Sequence, residues 1–341
     1  MKILVTSVGG SPALDTVRCL KEDPSVVVIG ADASEPGLKL GAVVCDELRP
    51  VPRADRTPDA YVDALERLSA EVDLVFLTLD VEVEALVRTG RRPAKIVNVP
   101  PQESLAILLD KAKTEEVARD TGLFPATERV QGPEQLAEAL ARLPTARAWL
   151  RPSQGASGAG AIAVESAAEA RAWMSFWTRR GVKGSWMLQE FLPGRNLNWT
   201  AIYERGRLVA TAQMERLEYF LAAVAPGGVT GQVRRARTVD VPAAAAAAET
   251  VVRAICPEPH GMFSVDLRED ERGQPRLNEI NPRPAGRGWL MAKAGANLPL
   301  ALARLRLGLP IGDAIAPGGC RPGLEFVRQM DLLPVFYDSP T

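Results

Sequence analysis

The first 108 residues alternate short, wholly apolar runs with segments of helical periodicity, and few folds accept that alternation. KILVTSV, SVVVIGAD and DLVFLTL read as strands, with helical patterns between them over residues 12 to 22 and around 58 to 70. Runs that lack a polar face need cover on both sides, which a parallel sheet between helices supplies. The pattern closes with a predicted strand KIVNVP, the pair Pro100-Pro101 and a short helix. The expectation is α/β, with a Rossmann-like parallel-sheet unit over residues 1 to 105. Its first loop, SVGGSPA at residues 7 to 13, follows a strand at the carboxyl end, where parallel sheets bind ligands. Gly9, Gly10 and Ser11 are therefore candidate substrate contacts.

A chain of 341 residues exceeds one comfortable core, so further domains must follow. Lys and Arg number 41 against 42 acids, a formal net charge of -1, which gives no global field for nucleic acid or an anionic membrane. Neither is expected as a partner. Cys19, Cys45, Cys256 and Cys320 form neither a CxxC pair nor a metal-ligand spacing and read as core thiols of a reducing compartment. The start MKILVTSVGG suits a first strand better than a signal peptide, and no apolar run approaches the ~18 residues of a membrane span. The expected location is cytoplasmic. With His260 the only histidine, histidine triads and multi-histidine metal sites are excluded as readings.

From Asp110 the text changes. DKAKTEEVARDTGLFPATERV predicts a helix closed by Gly122, a turn and a strand. RAWLRPSQGASGAGAIAV predicts two strands around a small-residue loop, whose glycines admit backbone amides close to phosphate oxygens although the GxxxxGK[ST] pattern is absent. Arg151, on the strand before that loop, and Lys111, in the helix-opening DKAK, are candidate phosphate cations. MLQEFLPG predicts a strand that becomes a linker, with unpaired backbone groups suited to the edge of a purine. NWTAIYERGRLVATAQ predicts a hairpin turning at Arg205-Gly206, and PAAAAAAETVVRAI a helix opened by proline.

The last hairpin, MFSVDLREDERGQPRLNEIN, continues into PRPAGRG. On a strand side chains alternate, so Glu279, Asn281 and Arg283 share a face while Ile280 points to the core. A turn at Asp270 to Gly273 brings Asp266 near Leu277 on that same face. Two carboxylates and an amide oxygen form a hard, oxygen-only set of the kind Mg²⁺ prefers when phosphates complete its shell. Arg283 would offer its fork to a phosphoryl oxygen. Residues 214 to 240 read as a substrate-facing segment, with Arg234, Arg235 and Arg237 available to a carboxylate.

Taken in order, DKAK, WLRPSQGASGAGA, MLQEFLPG and VDLREDERGQPRLNEINPRP resemble the ATP-grasp superfamily, most closely its carbamoyl-phosphate-synthase-like ligases, over about residues 105 to 310. The resemblance implies an α+β ATP-grasp fold behind the Rossmann-like unit: a small subdomain over 106–186 with the glycine-rich loop, a large subdomain over 187–310 with the metal and phosphate site, and a tail over 311–341 packed on the core. It further implies ATP with two Mg²⁺ ions, Mn²⁺ being an alternative, bound by Asp266, Glu279 and Asn281. Lys111, Arg151, Ser153, Gly155, Ala156, Ser157 and Gly158 would hold phosphates, Gln189, Glu190, Phe191 and Leu192 the adenine, and Asn196 the ribose. There the family commonly has an acidic residue, whereas this chain has Asn196 and Asn198. Arg283, Lys111 and Arg151 would act on the transferring phosphoryl group.

The implied activity joins a carboxylate to an amine through an acyl phosphate, releasing ADP and phosphate, with small-molecule acids and amines as partners. A carbamoyl-phosphate-synthase-like phosphorylation of carboxyphosphate or carbamate is the alternative within the class. Outside it stand a non-catalytic nucleotide sensor and a nicotinamide-dependent oxidoreductase. For the oxidoreductase, Asp32 after strand two imitates the dinucleotide fingerprint, but SVGGSPA lacks its spacing. Residues 321 to 338 read as a terminal strand pair or an oligomer contact, which leaves a homodimer open.

Overall fold

The computed structural model describes residues 1–155, 158–182, 185–225, 228, 231–284 and 286–329. The N-terminal part is the expected alternation. Strands β1 (Lys2–Thr6), β2 (Val27–Asp32), β3 (Glu47–Pro50) and β4 (Leu74–Phe76) alternate with helices α1 (Ser11–Leu20), α2 (Glu35–Gly41), α3 (Pro58–Ser69) and α4 (Asp80–Thr89). They form a four-stranded parallel sheet in the order β3-β2-β1-β4. The run KIVNVP contributes only a parallel bridge from Ile96 to Val75 rather than a full strand. There Asn98 does the pairing with its side chain, donating to Leu77 O and accepting from Leu77 N.

Helices α5 (Gln102–Leu108) and α6 (Lys111–Ala118) lead into the second part. The Asp110 carboxylate caps α6 by accepting from Ala112 N at 3.0 Å, and a turn of 3-10 helix ends at Gly122, whose φ of 66° suits glycine. Strands β5 (Thr127–Val130), β6 (Ala148–Pro152), β7 (Ile162–Val164) and β8 (Trp186–Glu190) make an antiparallel sheet, order β5-β8-β6-β7. Helices α7 (Leu136–Arg142) and α8 (Ala167–Arg179) complete this part, Leu136, Ala139, Ala170 and Met174 sharing its core with Leu150 and Leu188.

The third sheet is antiparallel with six strands in the order β13-β12-β9-β10-β11-β14. It comprises β9 (Asn196–Glu204), β10 (Arg207–Tyr219), β11 (Val233–Thr238), β12 (Gly261–Glu269), β13 (Pro275–Asn281) and β14 (Glu325–Val327). One face carries Leu197, Trp199, Ala201 and Tyr203 against the alanine face of α9 (Pro242–Ile255). The alternate residues face the other way. At one end of that face Ile202, Met214 and Met262 share a core with α1, α10 (Gly288–Lys293) and α11 (Leu298–Arg306). At the other end the same face turns polar, with Asn198, Ser264, Asp266 and Arg216. Strands β9, β10 and β12 thus fasten the sheet to the N-terminal part and deliver buried polar groups to a cleft.

Candidate active site

A cleft of about 440 Å³ is lined from all three parts of the chain. Its floor is the β12–β13 hairpin. The sequence places Asp266 near Leu277, but the observed pairs are Leu267 with Leu277 and Asp266 with Glu279. Asn278 is the extra residue of a β-bulge, and the shift sets the two carboxylates directly opposite each other across the ladder. The bulge also frees Asn278 to receive Arg151, whose Nη1 donates to Asn278 Oδ1 at 2.8 Å and Nη2 to Asn278 O at 2.7 Å.

Five cationic or amide groups surround this pair. Lys111 Nζ lies 3.3 Å from Glu279 Oε2 and donates to Gly155 O at 2.8 Å, tying the glycine-rich loop to the hairpin. Arg216 Nη2 and Asn198 Nδ2 donate to Asp266 Oδ1 at 2.5 and 2.7 Å. Arg283 donates to Asn281 Oδ1 at 3.3 Å, but its fork is held mainly by Asp80 at the start of α4, with Nε and Nη2 each 2.8 Å from a carboxylate oxygen. Burial alone would raise the Glu279 carboxyl, yet Lys111, Arg151, Arg216 and Arg283 outweigh it and hold it at about 2. Asp266 is pushed up instead, by burial and by Glu279, against the pull of Arg216 and Asn198. Burial lowers Arg151 to about 10, with Glu279 opposing.

The donor set fits a hard divalent cation: two carboxylates and the Asn281 amide, all oxygen. Among the described residues no group of three or more His, Cys, Asp or Glu is placed to hold a metal, so the remaining ligands would have to come from a substrate or water. A surplus of cations around two carboxylates is likewise an arrangement that awaits anionic oxygens.

Gln189, Glu190, Phe191 and Leu192 line the cleft along the end of β8 and the linker beyond it. The Phe191 ring is held under the Arg147 guanidinium, 4.3 Å from its centroid. Gly194 lets that linker cross the hairpin, since a Cβ there would stand 2.6 Å from Glu269 Cβ and 2.8 Å from its carbonyl oxygen. Asn196 lines the cleft, donating to Tyr219 Oη at 2.8 Å and accepting from Arg216 at 3.2 Å, while Asn198 lies buried in the sheet. Gly155 and Gly158 line the cleft at φ of 114° and 72°; Ala156 and Ser157 lie outside the described residues.

Four of the expected site residues lie outside the lining of the cleft. Arg234 and Arg235 do not line the cleft: both pair with Glu218, at 3.4 and 3.1 Å, on the exposed side of the β10–β11 ribbon. Gly9 is used for packing, its N–H donating to Asp32 at 2.9 Å where a Cβ would strike Gly37, and only Gly10 and Ser11 of that loop reach the cleft. Asp32 is thereby committed to Gly9 and to Ser34, the cap of α2. Ser153 lies buried behind the cleft, where its carbonyl receives Lys111 N. Arg216, Arg268 and Arg287 line the cleft as well, beyond the arginines expected there. Alternation along MERLEY from buried Met214 could have found Arg216; nothing local marks Arg287 or Asp80, which meet the cleft only through tertiary packing.

Comparison with known proteins agrees with the fold. Residues 183–321 match the model of a family described as ATP-grasp in the biosynthetic pathway with Ter operon. No curated protein matches the sequence. Among solved structures, an ADP complex of N5-carboxyaminoimidazole ribonucleotide synthetase superposes with a TM-score of 0.67 at 17% identity, covering 94% of this chain and 79% of that one. An L-amino acid ligase from Bacillus licheniformis gives 0.66 at 14%, covering 94% and 77%. The biotin carboxylase complex from Campylobacter jejuni gives 0.65 at 17%, covering 92% and 73%. The chain therefore shares the fold of these structures, and residues 183–321 carry the similarity to the ATP-grasp family model. No helix among the described residues is long and apolar enough to cross a membrane.

Proposed function

We propose that the chain is an ATP-dependent ligase that activates a carboxylate as its acyl phosphate and passes it to an amine. The observation that carries this reading is the bulged hairpin, which sets Asp266 opposite Glu279 among Lys111, Arg151, Arg216 and Arg283. Asp266, Glu279 and Asn281 would hold Mg²⁺, two ions in the fullest version, and bound metal would neutralise phosphate charge. Lys111 and Arg151 would grip phosphate oxygens below the glycine-rich loop. Gln189 to Leu192 would take the adenine and Asn196 a ribose hydroxyl, without the charge assistance of a carboxylate.

Arg216 and Arg283 flank the carboxylates and would stabilise the phosphoryl group as the substrate acid attacks it. No protein nucleophile is required: alignment and fixed charge do the chemistry. The names of the similar structures support either of two acceptor classes, an amino acid or an amine that becomes carboxylated. The reading is tested by incubating the protein with ATP, Mg²⁺ and pools of carboxylic acids, including bicarbonate, with and without amines. Acid-dependent ADP and phosphate, lost in Glu279→Gln, is the expected result. AMP and pyrophosphate would overturn it.

A further inference from the structure

The cleft is also lined by Gly10, Ser11, Gly286 and Arg287, to which phosphoryl transfer gives no task. Ser11 opens α1, a helix of 10 residues whose N-cap, Gly10, supplies no side-chain capping bond and whose first turn has no acid. Two guanidiniums converge on it. Arg287 Nη1 donates to Ser11 Oγ at 3.0 Å, and Arg328, just beyond β14, donates to the same oxygen at 3.1 Å. Arg328 is steadied from behind by Gln232 Oε1 at 2.6 Å and Val233 O at 3.0 Å.

The charge here does not balance. Arg287 is 4% exposed, and its Nε finds no hydrogen-bond partner among the described residues. Asp15 is the neighbouring carboxylate, 3.5 Å from both Arg287 and Arg18, so it is shared by two arginines before Arg328 is counted. Burial, with Arg328 and Arg216 nearby, brings Arg287 down to about 10 despite Asp15. Two buried or half-buried guanidiniums meeting on one neutral hydroxyl cost desolvation that the hydroxyl cannot return. A helix N-terminus pointing into the same place adds further attraction for negative charge.

We propose that Ser11, Arg287 and Arg328 form an oxyanion subsite that takes a carboxylate or phosphate group of the second substrate. As a substrate subsite it rests on the ligase reading; as an anion site it does not. The subsite joins the N-terminal part to the strand that closes the large sheet, so substrate binding would draw on Arg328 from the last described stretch of the chain.

The test is calorimetric titration with succinate and, separately, with inorganic phosphate, in the presence of saturating Mg²⁺ and a non-hydrolysable ATP analogue that fills the phosphate sites. The expected result is binding of one probe to the unmodified protein and at least tenfold weaker binding to Arg328→Gln and Ser11→Ala, with analogue affinity within twofold. The stronger probe tells a carboxylate from a phosphate subsite. Binding of neither probe, or equal binding by both variants, would overturn the proposal. Should Arg328→Gln lose the analogue as well, Ser11→Ala decides alone. Anion binding without analogue binding would keep the subsite and remove the ligase reading.

Discussion

Replacing Glu279 with Gln removes the carboxylate on which Lys111, Arg151, Arg216 and Arg283 all act. Its carboxyl moves from an ordinary 4.5 to about 2 in the fold. At roughly 1.4 kcal/mol per unit the linkage amounts to about 3 kcal/mol, and screening at a side chain that remains 27% exposed reduces the expectation to about 2 kcal/mol. The sign follows from the lowered value. Above 4.5 the carboxylate is ionised in both states and the stabilisation is complete; between 4.5 and about 2 only the folded state stays ionised, and the advantage drains away. Urea titrations of the two proteins, without nucleotide, should therefore differ by about 2 kcal/mol at pH 7, with the gap narrowing below pH 4.5. A Gln variant as stable as the parent at pH 7, or a gap indifferent to acid, would refute the electrostatic account of the site.

Asp80→Asn should weaken the fork on Arg283, costing about 2 kcal/mol of stability and lowering the rate of ADP formation more than the affinity for nucleotide; denaturation and steady-state kinetics check the two halves. Gly194→Ala drives a Cβ into the Glu269 backbone, so a loss of about 1–3 kcal/mol and weaker MgADP binding are expected in titrations, as the linker after β8 shifts. Glu82, 2% exposed, accepts from Thr6, Ser7, Tyr61, Thr78 N and Leu79 N; Glu82→Gln turns an acceptor into a donor among donors and should cost about 1–3 kcal/mol in a urea titration.

What could be read from the amino acids alone was whatever depends on neighbours in the chain. Strand alternation put Glu279, Asn281 and Arg283 on one face and Ile280 in the core, and Ile280 packs there with Val265 and α9. The apolar runs of the first 108 residues specify a two-faced burial that a parallel sheet satisfies, and Gly122 and the Arg205-Gly206 turn end their elements where expected. KIVNVP failed as a strand because an asparagine side chain took over the pairing.

Tertiary structure decided the rest. The bulge at Asn278 is an event of pairing between two strands, so no single-strand pattern reports that Asp266 faces Glu279 rather than Leu277. Arg234 and Arg235 looked suited to a substrate because their charge is visible in sequence, but Glu218 on the neighbouring strand holds both outside the cleft. Arg216, Asp80 and Arg287 come from segments far apart in the chain, and only the packing of the parallel sheet against the six-stranded one brings them to a single cavity, with Arg328 bonded to Ser11 at its edge. Local propensity and periodicity fix which way a side chain leaves its own strand; what it meets there is set by long-range burial, which no short stretch of sequence contains.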